Sequence, residues 1–98
     1  MTAANLYIVF QGRSEPYAAE RNLPDMSWDG TVRDIADMQF ENLRQVIEVG
    51  TGKDVTERAV QSAADLRVIR GDDNCHAFGV LVELTLGTRA ARPFLRAA

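Results

Sequence analysis

Apolar and polar positions divide the chain into a strand, an irregular stretch, a helix, a second strand, a second helix and a final apolar run. Leu6 to Phe10 (LYIVF) is rich in β-formers and bounded by Asn5 and Gly12, which predicts a buried strand. From Gln11 to Gly30 no period is sustained, and Pro16, Pro24 and Gly30 interrupt it. A short helical turn or an edge strand around residues 17–21 is the most this irregular loop suggests. Val32, Ile35, Ala36, Phe40 and Leu43 then recur at helical spacing, which predicts a helix over Thr31–Phe40. Thr31 is the natural cap, with Asp34 three residues on, a variant of the capping box.

Gln45 to Val49 predicts the second strand, and Gly50-Thr51-Gly52 the turn after it. Val55, Ala59, Ser62/Ala63, Leu66 and Ile69 predict a helix over Val55–Arg70. Asp54 serves as its cap, with Glu57 three residues on, and Gly71 as its stop. His76 to Leu86 fits two periods. Phe78, Val80, Val82, Leu84 and Leu86 alternate as in a strand, while Phe78, Gly79, Val82 and Leu86 line one face of a helix. Asp72 or Asp73 as cap and Gly87 as stop favour the helix, although Gly79 weakens either element. Pro93 marks residues 88–98 as an irregular basic tail.

The expected fold is therefore α+β, one small domain over residues 1–98. A two- or three-stranded sheet is packed by two or three helices in the order β-α-β-α-α. If the two main strands are adjacent and parallel, their connection is right-handed. Phe40, Ile47 and Leu66 are expected to meet in the core.

Composition narrows the function classes. The 98 residues are 46% apolar, enough for one core without metal or disulfide, and the single cysteine, Cys75, permits no intramolecular disulfide. Fourteen acids against eleven bases leave a net charge of −3, too mild for a nucleic-acid mimic or binder. No basic segment precedes the first apolar run, and no run approaches the ~18 residues of a membrane span. The expectation is a cytoplasmic protein with no membrane partner.

Motifs with chemistry are incomplete. Gly50-Thr51-Gly52-Lys53 lies between a strand and a helix, but the P-loop glycine is missing at Ile47, and Asp54 replaces the Ser or Thr that would hold magnesium. Cys75 and His76 are adjacent, lack a second histidine, and would point about 100° apart on a helix. With Asp72 and Asp73 they are the only enzyme-like cluster, and the default is an inert thiol beside a helix start. Ser14, Ser27 and Ser62 have only His76 as a possible base and no nucleophile elbow. No cofactor, metal or small-molecule ligand is expected.

Three features suggest protein contacts instead. Met26 and Trp28 follow Pro24 in a stiff loop and could anchor in a partner's pocket, or fold down over the core. Asp34, Asp37 and Glu41, at i, i+3 and i+7, would form an acidic ridge on the outer face of the first helix. Arg89, Arg92 and Arg96 could make a weak secondary contact, with Phe94 and Leu95 packing back on the body.

The segment TVRDIADMQFENLRQVIEV followed by KDVTERA, and the ending LGTRAARPFLRAA, resemble short uncharacterised bacterial proteins, many of them from phages or prophages. The resemblance implies no activity and carries over no functional residue. Met38 stands where those proteins usually have glycine. The resemblance implies an accessory of a mobile element. Together these readings lead to a non-enzymatic protein-binding module that inhibits or modulates a host complex, such as a defence system. Two alternatives are a homodimer formed through apolar surface of residues 78–86 and a small enzyme using the Asp72–His76 cluster.

Overall fold

Val9 and Val46 sit opposite each other in an antiparallel strand pair, and both are fully buried. The structure is a computed structural model that describes residues 5–95. Its sheet has three strands, β1 (Tyr7–Gln11), β2 (Tyr17–Ala18) and β3 (Leu43–Glu48), in the order β2-β1-β3 with both pairings antiparallel. No right-handed parallel crossover exists, because β1 and β3 are adjacent but antiparallel. Side chains alternate across a strand, so Tyr7, Val9 and Val46 face the core. Ile8 pairs with Ile47 on the opposite face, and both are half-buried. Val46, not Ile47, is therefore the core residue of β3.

Four helices complete an α+β domain. They are α1 (Trp28–Ala36), α2 (Thr56–Arg70), α3 (His76–Leu86) and α4 (Thr88–Leu95). The first helix starts three residues before the expected cap. Ser27 Oγ accepts the Gly30 N–H at 3.0 Å, and a 3-10 turn (Leu23–Met26) leads into it. Thr31 lies inside the helix, fully buried, and its hydroxyl has no hydrogen-bond partner. The helix ends at Ala36, so Phe40 and Glu41 lie beyond it.

The stretch after β3 is a hairpin rather than a direct strand-to-helix turn. Gly52 N–H donates to Glu48 O, Glu48 N–H to Lys53 O and Val55 N–H to Val46 O, so residues 53–55 run back along the outer edge of β3. That covers part of an edge strand that would otherwise expose its backbone. Thr56 Oγ1 accepts the Val46 N–H at 2.9 Å and donates to Asp54 Oδ1, which also accepts the Thr56 N–H. Asp54 therefore serves the start of α2 from one position before the cap, Val55.

The buried face of α2 is Ala59, Val60, Ala63 and Ala64, set against α1. Alanines let two helices approach closely. This face is rotated from the expected stripe: Leu66 is only half-buried and Ile69 is 81% exposed. Helix α3 replaces the ambiguous run and buries Phe78, Gly79 and Val82. The expected irregular tail is α4, folded back on α3. Phe94 meets Phe78 edge-to-face at 5.2 Å between centroids, and Ala91 is fully buried. Pro93 sits in the second turn of this eight-residue helix, where its missing N–H forfeits one backbone bond. No helix among the described residues is long and apolar enough to cross a membrane.

Candidate docking groove

Helix α3 has more apolar surface than the core consumes. Within His76–Leu86 only Glu83 carries a formal charge. Phe78, Gly79 and Val82 take the core side, which leaves Ala77, Val80, Leu81 and Leu84 on another face at i, i+3, i+4 and i+7. These four line an open groove of about 720 Å³. Leu84 is 80% exposed. The opposite wall comes from the end of α1 and the chain after it, with Met38, Phe40 and Leu43, and from two arginines, Arg13 and Arg44.

A β-bulge places Arg44. Phe10 pairs with Gln45 and Gln11 with Leu43, so Arg44 is the extra residue of β3. A bulge bends its strand and re-aims the side chain. The guanidinium of Arg44 donates to Gly12 O at 3.2 Å and Arg13 O at 3.0 Å, both neutral acceptors. Among the described residues, neither Arg13 nor Arg44 has a carboxylate at ion-pair distance. A second hollow, of about 690 Å³, shares Arg44, Leu84 and Thr85 with the first and adds Lys53 and Arg58 together with Asp54 and Glu57.

The acidic residues proposed as a ridge are engaged inside the molecule. Arg21, whose side chain is 5% exposed, pairs with Asp34 at 3.3 Å and donates to Tyr7 O and Asp25 O. Asp37 pairs with Arg70 at 2.8 Å, and Arg70 also binds Asp72. These bonds push the Arg70 pKa up and hold the Asp72 carboxyl below its usual value, with their mutual hydrogen bond the largest cause in each case. Arg67 extends the network, donating to Ala36 O at 2.6 Å and Asp73 O at 2.9 Å. It thereby ties the end of α1 to the α2–α3 connection. Glu41 has left the helix, so it shares no helical face with Asp34 and Asp37, and its carboxylate accepts the Tyr17 hydroxyl at 3.4 Å.

Trp28 opens α1 and is half-buried. Its ring meets Tyr7 edge-on at 5.2 Å, and the Arg58 guanidinium covers it at 4.4 Å. Tyr7 is buried, which raises its phenol pKa, and the phenol donates to the Glu48 carboxylate at 3.1 Å. Glu48 is held low mainly by the Thr51 hydroxyl, which donates at 2.6 Å. Met26, also half-buried, ends the 3-10 turn. Trp28 and Asp37 bracket α1, about 13 Å apart along its axis, so the corner and the acidic pair form no single patch.

Cys75 precedes α3 and is half-buried against the core, while His76 is exposed. Among the described residues no three His, Cys, Asp or Glu side chains converge as metal ligands. Arg89 and Arg92 are exposed on α4, and neither has an ion-pair partner among the described residues; Arg96 lies outside them.

Sequence reasoning passed over Arg13 and Arg44, which come together only through the bulge. The α3 stripe did leave a signal. A helix apolar on nearly every side must bury more than one face. No protein-family model, curated protein or solved structure matches the chain.

Proposed function

We propose that this protein is a small non-enzymatic protein-binding module that docks its partner in the groove along α3. The observation that carries the reading is the apolar stripe Ala77, Val80, Leu81 and Leu84, left open beside two arginines that have no carboxylate partner among the described residues. A well-packed small domain gains nothing in folding from an 80%-exposed leucine next to other apolar side chains, and such patches mark interaction surfaces. The reading centres on this groove rather than on Met26, which is half-buried, or on Trp28, Asp34, Asp37 and Glu41, whose side chains are engaged within the domain. The likeness of residues 31–49 and 53–59 to phage and prophage proteins extends it to a cytoplasmic accessory of a mobile element that inhibits or modulates a host complex.

The same stripe supports a second reading, a homodimer. Light scattering of the purified chain, together with affinity capture from bacterial cytosol, separates the two. The docking reading expects a monomer that captures a stoichiometric partner, and loss of that partner with a folded Leu84→Asp variant. A stable dimer that Leu84→Asp dissolves into monomers supports self-association. A partner retained equally by parent and variant would overturn the groove as the interface.

A further inference from the structure

We infer that the occupant of the groove is an amphipathic helix of a partner protein, with acidic residues flanking its apolar face. The inference rests on the docking reading above and specifies its ligand. The stripe from Ala77 to Leu84 has i, i+3, i+4, i+7 spacing and spans two turns, about 10 Å. A facing helix presents apolar side chains at that same spacing, which is the geometry of helix-in-groove recognition. The wall opposite sets the sign of the charge. Arg13 and Arg44 stand at the groove, and among the described residues the hydrogen bonds of Arg44's side chain go to neutral carbonyls. Carboxylates on the flank of an incoming helix would supply the missing counter-charge.

Other occupants fit less well. A second copy would bring its own α3, whose only acid is Glu83, and its own pair of arginines. An anionic bilayer would meet a concave surface where interfacial binding needs a convex or flat apolar face. Nucleic acid would find a largely apolar wall whose aromatic, Phe40, is already covered by the Arg21 guanidinium at 5.1 Å.

The test uses three synthetic sixteen-residue peptides with one leucine face and flanks of Glu, Gln or Lys. Binding to the 98-residue chain is followed by backbone amide NMR shifts. The Glu peptide is expected to perturb residues 77–84 and 40–44, and the Lys peptide to bind about tenfold more weakly. Added salt should shrink that difference. Arg13→Glu, at an exposed position, should remove or reverse the preference; Arg44→Glu is a second variant, accepted only if its spectrum shows the parent fold. Equal binding of all three peptides in the groove overturns the acidic partner while leaving protein docking intact. Preferential occupation by dodecanoate, by vesicles of mixed zwitterionic and anionic phospholipid, or by a second copy at NMR concentration overturns the inference. Absence of any perturbation along α3 overturns the docking reading as well.

Discussion

Met38 and Gly71 occupy the same position at the ends of two helices. After α1, Met38 N–H donates to Ile35 O at 3.1 Å and Gln39 N–H to Asp34 O at 2.9 Å. After α2, Gly71 N–H donates to Val68 O and Asp72 N–H to Arg67 O, each at 3.1 Å. Both residues are left-handed, with φ of 56° and 70°. This is the Schellman closure, which favours glycine. At Gly71 a Cβ would meet nothing within 4 Å, so only the backbone resists a side chain. Gly71→Ala should cost about 1 kcal/mol, read as a shift in denaturation midpoint with unchanged slope. A neutral result would mean that α2 does not end in this closure.

Thr31 provides a test of sign. Were it the helix cap that the sequence pattern suggests, Thr31→Val would destabilise the domain by about 1 kcal/mol. It is instead inside α1, fully buried, with an unpartnered hydroxyl. Valine has the same shape and no group to desolvate. Thr31→Val should therefore raise stability by about 1 kcal/mol, and Ser27→Ala should lower it by a similar amount. Thermal melts of the two variants moving in the same direction would contradict this arrangement.

Gly79 decides whether α4 docks. A Cβ there would lie 2.7 Å from Leu95 Cδ2 and 3.0 Å from the Phe94 carbonyl. Helix propensity alone favours Gly79→Ala by roughly 1 kcal/mol. The clash with backbone should win, giving a net loss of about 1–2 kcal/mol, with faster amide exchange in residues 88–95. A more stable variant would show that α4 does not pack as described.

Asp54 makes stability depend on pH. The Thr56 hydroxyl bond, then the Thr56 backbone N–H and the Gln45 amide, hold its carboxyl below the ordinary value. A carboxyl lowered in the folded state contributes stability that is complete above its unfolded pKa and is lost as pH falls through the folded one. At neutral pH, Asp54→Ala should be less stable than the parent by on the order of 1 kcal/mol. That gap should close below about pH 4. Chemical denaturation of both proteins across this range gives the answer, and a gap that stays constant into strong acid would exclude the linkage.

Local signals carried much of this fold. The LYIVF run, the β-branched stretch around Val46, the helical period after Asp54 and the glycine at 71 each specify an element through short-range sterics and hydrogen bonding. The α+β class was legible from them, whereas residues 76–86 fitted a strand and a helix alike, with only the possible caps leaning to the helix that forms. Which side of an element turns inward was not. Ile47 and Val46 are equally apolar, and only the antiparallel register with Val9 buries one rather than the other. Ile69 completes a helical stripe on paper, yet the close alanine face at 59, 60, 63 and 64 carries α2 against α1 and leaves it in solvent. The start of α1 at Trp28 follows the local Ser27 cap, but the contacts of its indole with Tyr7 and Arg58, distant in the chain, were not legible. The charged candidates Asp34 and Asp37 were readable as a helix face, but their arginine partners lie 13 and 33 residues away. The groove belongs wholly to the tertiary structure. Its apolar wall is written in α3, but its charge comes from a one-residue bulge at Arg44, and no local pattern places that guanidinium beside Leu84.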